Sequence, residues 1–189
     1  EIIIDQDSKR LQKLEPFTAW NKKDMKDLRI LLKAEGKCTT DHVSPAGPWL
    51  KYRGHLENIS QNMYSGALNA YTQSTGEAIN TDTKENGDIY EVAKYYSSNA
   101  IDWIAVADEN YGEGSSREHA AMEPRFMGCK IVLAKSFARI AQTNLKKQGI
   151  LPLIFQNKSD YDKIEVFDKI STLNLNEFGP KTNISLSLK

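Results

Sequence analysis

The chain has 189 residues, a length suited to one generous domain or one domain with a tail, and 40% of them are hydrophobic, enough for an ordinary core. Its 25 basic and 25 acidic side chains cancel, so no global field draws nucleic acid or an anionic membrane. No apolar run approaches the roughly 20 residues that cross a bilayer. The two cysteines, Cys38 and Cys129, form no Cys-x-x-Cys pair; this argues against a disulfide framework or structural zinc and leaves too few thiols for an iron–sulfur cluster. The first residue is Glu rather than Met, which reads as a piece or a processed form of a longer chain.

Residues 1–27 are highly charged, with isolated apolar residues Leu11, Leu14, Phe17 and Trp20, and read as a linker or arm from preceding domains. Residues 28–189 read as the domain proper, cut short at its C-terminal end. Leu28, Ile30, Leu32 and Ala34 recur with period 2, predicting a strand with one mostly buried face. Thr39 to Pro48 is rich in turn formers and predicts an ordered loop. Residues 69–87 are polar and predict a surface excursion. Asp88 then caps a helix with the stripe Ile89, Val92, Ala93 and Tyr96.

Trp103–Ala107 is a continuous apolar run, the pattern of a strand buried on both faces. A glycine-bearing loop follows, and a helix is expected from near Ser116, limited by Pro124. Ile131–Ala134 predicts a second buried strand. Ser136 is placed as the cap of a helix turning Phe137, Ile140, Ala141 and Leu145 inward and stopped by Gly149. Residues 150–155 predict a third strand, and 184–188 a last one. Strand and helix alternate, so the fold class is α/β with a mostly parallel core.

The loop Asp108-Glu109-Asn110-Tyr111-Gly112-Glu113-Gly114-Ser115-Ser116-Arg117 carries the chemistry. Glycines at 112 and 114 admit positive φ and close approach of a ligand to the main chain. The expected helix start adds free N–H groups, and Arg117 adds a planar guanidinium, together favouring a carboxylate or phosphate. Ser115 could serve as a base if its alkoxide were stabilised by such donors. Spacing alone does not separate this from an ordinary N-cap with Glu118 nearby. Gly-Glu-Gly-Ser-Ser is not the Gly-x-Ser-x-Gly elbow of serine hydrolases.

Gly112 to Ala120 (Gly-Glu-Gly-Ser-Ser-Arg-Glu-His-Ala) resembles the signature of the swivelling domain of the aconitase superfamily. Lys37 to Ser44 is similar to the start of that domain, and Ala46 to Ser60 to its mitochondrial type. Lys135 to Ile140 and Asn144 to Gly149 match as well. The resemblance implies a swivel domain, either a mostly parallel sheet or a partly open barrel flanked by helices. It implies a hydro-lyase interconverting citrate and isocitrate through cis-aconitate, located in the mitochondrial matrix, with the cytoplasm as the alternative.

By position it makes Ser115 the catalytic base and Arg53, Ser116 and Arg117 the residues that bind substrate carboxylates. Thr40, Asp41 and Ser44 would order the arginines and the serine loop. A [4Fe–4S] cluster would be ligated outside this chain, by the other aconitase domains. His42, His55 and His119 match no metal spacing, so no metal ligand is expected here; each is expected buried and hydrogen-bonded. No membrane or nucleic-acid partner is expected. The alternatives are the small subunit of isopropylmalate isomerase and an RNA-binding module of an iron-regulatory protein; the arm and the Arg53 motif argue against the first, the neutral charge against the second.

Overall fold

The computed structural model describes residues 2–179 and 182–189. Strand β1 (Arg29–Lys33) leads into two single-turn helices, α1 (Thr40–Val43) and α2 (Leu56–Ile59). Two short hairpins follow, β2 (Leu68–Asn69) with β3 (Ser74–Thr75) and β4 (Glu77–Asn80) with β5 (Glu85–Asp88). Helices and strands then alternate as α3 (Ile89–Ser98), β6 (Trp103–Ala107), α4 (His119–Phe126), β7 (Cys129–Ala134), α5 (Arg139–Lys147) and β8 (Leu151–Ile154). An antiparallel ribbon of β9 (Ile170–Leu173) and β10 (Ser185–Leu188) comes last.

Strands β1, β6, β7 and β8 form one parallel sheet in the order β1-β6-β7-β8. Reciprocal bonds between the Leu28 and Ile170 backbones attach the β9–β10 ribbon at the start of β1. Each residue of β6 is fully buried, as a parallel strand covered on both faces requires. One face packs α3, α4 and α5 through Val92, Ala93, Tyr96, Ala121 and Leu145. The other packs Tyr161, Ile164 and Ile170 against Ile104, Val106, Ile131 and Leu133.

Strand β1 departs from its period-2 pattern. The register slips between Ile30 and Leu32, leaving Leu31 as a bulge. Leu28 and Ile30 therefore face one layer, while Leu32 and Ala34 face the other. Both faces are covered, where the alternation predicted one. Beyond the bulge Lys33 is buried; its ammonium donates to the Ile164 carbonyl oxygen at 3.0 Å and lies over the rings of Tyr161 and Tyr71 at 4.6 and 5.5 Å. Burial pulls its pKa down, and the carbonyl and ring faces offset part of the lost hydration.

Other elements also differ from expectation. Residues 69–87 are an integral pair of hairpins, not a surface excursion: Asn69, Ala78 and Asn80 are buried, and Asn69 donates through Nδ2 to the Glu77 carbonyl oxygen. Ser136 does not cap α5, whose cap is Ala138. Ile140, expected inside, is 52% exposed and lies beside the cavity under Ser115. Residues 2–27 contain only one isolated bridge, Leu11 to Gly54. Their Leu11, Leu14, Phe17 and Trp20 are largely exposed, with the Arg125 guanidinium over the Phe17 ring.

Asp88 caps α3 as predicted, its carboxylate accepting from the Tyr90 N–H at 2.9 Å. Asp88→Ala is expected to cost about 1 kcal/mol of stability, seen as a lower urea midpoint with an unchanged slope.

Candidate functional site

Strand β6 ends at Ala107, and residues 108–118 run from there to α4. The root of this loop is tied down on several sides. The Tyr111 N–H bonds to the Ser136 carbonyl oxygen and the Ala138 N–H to that of Tyr111. The Tyr111 ring is buried edge-on against Phe137, and its hydroxyl shares a 2.7 Å hydrogen bond with that of Tyr64. Gly112 has φ +77, and an added Cβ would overlap the Ala141 side chain, so only glycine fits against α5 here. Gly114 has φ +116, and a Cβ there would lie 3.0 Å from the Thr40 hydroxyl.

The loop is stitched to the segment around α1. Gly112 donates its N–H to the Cys38 carbonyl oxygen at 2.7 Å, and Thr40 donates its own to that of Glu113 at 2.9 Å. Helix α1 is short but doubly capped: the Thr39 hydroxyl accepts from the His42 N–H, and the His42 ring accepts from the Thr39 N–H. This capping box fixes the turn that presents Asp41 and Ser44.

Arg117 joins these two segments. Its Nη1 donates to the Ser44 carbonyl oxygen at 2.8 Å, and its Nη2 pairs with Asp41 Oδ1 at 2.6 Å. Ser44 is itself held: its N–H bonds to the Thr40 carbonyl oxygen, and its hydroxyl donates to Glu123 Oε1 at 2.7 Å. Glu123, on α4, has no exposed surface. Desolvation pushes its pKa up to about 8, against the opposing pull of the Ser44 hydrogen bond and the Arg117 charge.

Ser115 and Ser116 are both exposed. Beneath them Thr40, Tyr111, Gly112, Ser115, Ala141 and Asn144 line a cavity of about 10 Å³, the room taken by one water. The Thr40 hydroxyl is buried without a hydrogen-bond partner among the described residues. Arg53 follows a 3₁₀ turn, is exposed, and donates through Nε to the Leu50 carbonyl oxygen. Its own carbonyl oxygen lies 2.9 Å from His119 Nε2, at the first residue of α4. One continuous set of contacts thus joins Arg53, Ser44, Asp41, Thr40 and Arg117 to the loop bearing Ser115 and Ser116.

The helix after the loop corrects one expectation. It begins at His119 rather than near Ser116, and Glu118 occupies the cap position without a side-chain hydrogen bond. Ser115 and Ser116 are therefore not its caps, and the free N–H groups of its first turn do not lie at Ser115. Pro124 sits in its last turns, and the helix ends at Phe126. The three histidines are hydrogen-bonded as expected, but half-exposed rather than buried.

Glu123 went unnoticed in the sequence. A glutamate one residue before a helical proline looks like any solvated side chain. Only the small neighbours Ala120 and Ala121, buried on the same helix, hint that this face turns inward.

Among the described residues, no group of three or more His, Cys, Asp and Glu is placed to hold a metal ion. Cys38 and Cys129 are buried in the sheet layer, and burial pushes both thiols up to about 12. Neither offers a thiolate to a metal.

Residues 28–158 match the family model for the aconitase C-terminal domain. The chain is 56% identical over its whole length to a protein of Dictyostelium discoideum named probable aconitate hydratase, mitochondrial, covering 24% of that protein. It is 57% identical, over 93% of its length and 22% of the relative, to the homocitrate dehydratase, mitochondrial, of Saccharomyces cerevisiae. The chain thus spans about a quarter of the length of these curated relatives. In fold it is similar to a crystal structure of 3-isopropylmalate dehydratase from Methanocaldococcus jannaschii, with a TM-score of 0.52, 22% identity and coverage of 88% of this chain and 83% of that one.

The buried carboxyl gives the site a pH signature. The folded protein keeps the Glu123 proton up to about pH 8, whereas the unfolded chain releases it near the usual 4.5. The folded state binds more protons in that window, so stability falls as pH rises from about 4.5 to 8 and levels off above. Glu123→Gln removes this slope. Denaturant midpoints of parent and variant should diverge in the variant's favour between pH 5 and pH 9; a constant difference would contradict a raised pKa.

Proposed function

Because the chain belongs to the aconitase C-terminal domain family, we propose that it is the substrate-gripping domain of an aconitate hydratase and carries the base that interconverts citrate and isocitrate through cis-aconitate. The observation that carries this is the Arg117 clamp: a guanidinium fixed by Asp41 and the Ser44 carbonyl, beside two exposed serines on a glycine-bearing loop. Citrate presents three carboxylates and needs several fixed cations. Arg117 uses two of its five N–H donors on the protein and keeps an edge for a substrate carboxylate. Arg53, exposed and three residues before α2, supplies a second guanidinium, and Ser116 a hydroxyl donor.

Ser115 takes the proton. Its alkoxide removes a proton from the carbon next to a carboxylate, the C–H electron pair becomes the new double bond, and the hydroxyl leaves the neighbouring carbon with its bonding pair, becoming water by taking a proton from an acid outside this chain. Rehydration of cis-aconitate with the opposite regiochemistry returns that proton to carbon and yields isocitrate. A serine alkoxide needs nearby positive charge and dry surroundings. The loop supplies the first through Arg117. The second requires a facing surface, since Ser115 and Ser116 are open to solvent in this chain.

The two cysteines do not fit a cluster site, being buried, protonated and walled into the sheet layer. We assign the [4Fe–4S] cluster of the intact enzyme to residues outside this chain, where it would act as the Lewis acid for the departing hydroxyl. Relatives named mitochondrial favour the mitochondrial matrix over the cytoplasm. Similarity to a protein named homocitrate dehydratase favours homocitrate as a second substrate. The likeness to 3-isopropylmalate dehydratase carries the fold and nothing of the substrate.

Ser115→Ala in the intact enzyme should lower kcat for isocitrate formation by roughly 10²–10⁴-fold, the range of a lost general base; retained turnover in a coupled isocitrate dehydrogenase assay would sink the assignment. The chain alone should unfold cooperatively yet produce no isocitrate from citrate. Turnover without the remaining domains would place the whole site within these residues.

A further inference from the structure

Beneath the clamp lies a carboxyl that the proton chemistry does not use. Glu123 is fully buried, its Oε1 accepts the Ser44 hydroxyl hydrogen at 2.7 Å, and its Oε2 has no partner among the described residues. For stability alone this is a poor choice of side chain. A buried, half-satisfied carboxyl costs free energy that an apolar residue of similar volume would not, and its helix neighbours Ala120, Ala121 and Pro124 are buried.

Ser44 spends every polar group on one task. Its N–H caps α1, its hydroxyl goes to Glu123, and its carbonyl receives Arg117 Nη1. The other arm of the clamp is weaker. The Asp41 side chain is 66% exposed, and an ion pair open to water is loose and contributes little. The ordered side of the Arg117 site is therefore the Ser44 carbonyl, and the direction of that carbonyl depends on where the Ser44 hydroxyl is anchored.

We propose that Glu123 is a positioning residue for substrate binding: its buried carboxyl anchors Ser44, and Ser44 aims the Arg117 guanidinium. This rests on the reading that Arg117 grips a substrate carboxylate. A neutral carboxyl suits the task, since a full negative charge two contacts away would compete with substrate for Arg117. Gln keeps the acceptor and the volume. Leu keeps the volume and loses the acceptor.

The test uses the full-length, cluster-loaded enzyme with citrate as substrate. Glu123→Leu should raise KM about tenfold, the worth of one charge-assisted hydrogen bond, while kcat falls by a smaller factor, the pattern of lost binding rather than lost chemistry. Ser44→Ala should do the same, and the double variant should be no worse than either single one, because both cut one connection. Glu123→Gln should bring KM back to within about threefold of the parent. Folded Glu123→Leu with parental KM overturns the proposal, as does Gln performing as badly as Leu. Should Glu123→Leu not fold, Ser44→Ala decides alone, and parental KM in that variant overturns it equally. Arg117→Lys separates the two levels of inference. If it leaves KM unmoved, the reading of Arg117 falls; if it raises KM while the Glu123 and Ser44 variants do not, only the positioning role falls.

Discussion

The guanidinium of Arg117 is the joint on which the site depends. It comes from the loop after β6, and both of its protein partners, Asp41 and the Ser44 carbonyl, come from the turn after β1. Strands β1 and β6 are neighbours in the parallel sheet, so their C-terminal ends lie side by side and their loops meet. A parallel sheet concentrates functional loops at that edge. Arg117 converts the meeting into a fixed geometry, helped by backbone bonds from Thr40 to Glu113 and from Gly112 to Cys38. Without the pairing, the Ser115 loop would be joined to the rest of the site by backbone contacts at its root alone.

Rigidity at the root and exposure at the tip divide the labour along this loop. Tyr111 is buried and bonded to Tyr64, and Gly112 packs so closely on α5 that a methyl group does not fit. Three residues later Ser115 is in solvent. Precision is built in where the core can supply it, and the two serines stand on the last few residues, where a ligand can reach them. The histidines serve the same end. His42 closes the α1 cap, and His119 fixes the Arg53 backbone to the start of α4; both act through hydrogen bonds.

Much of the sheet was legible because its signals are local. Trp103–Ala107 is apolar without interruption, and a run of that length between turn residues has few other outcomes. Asp88 before the Ile89 stripe foretold α3 for the same reason. Two of the misreadings share another cause, contacts that lie outside the local pattern. The bulge at Leu31 is set by register against β6, and nothing within β1 announces it. Residues 69–87 look like surface because they are polar, yet Asn69 is buried with its amide bonded to the Glu77 carbonyl. Composition does not register polarity that is satisfied internally. The loop chemistry singled out Ser115 and Arg117 as candidates, Asp41 and Ser44 were reachable only through motif resemblance, and Glu123 was not reached at all, because a buried glutamate and a solvated one are the same letter.

The electrostatics of the open face agree with the proposal that this chain is one side of a site. Arg117 stands on it, paired with the largely exposed carboxylate of Asp41, and Arg53 joins it on the proposed reading. In high dielectric such charges attract an anion weakly and specify its orientation poorly. A serine hydroxyl surrounded by solvent remains protonated. On the proposed reading both deficits have one remedy, a second surface that covers the loop and excludes water, which would strengthen each charge–carboxylate contact and favour the Ser115 alkoxide together. The domain therefore supplies a pre-aligned but underpowered face. Its clamp of Arg117, Ser44 and Glu123 holds the geometry in readiness while the face is uncovered.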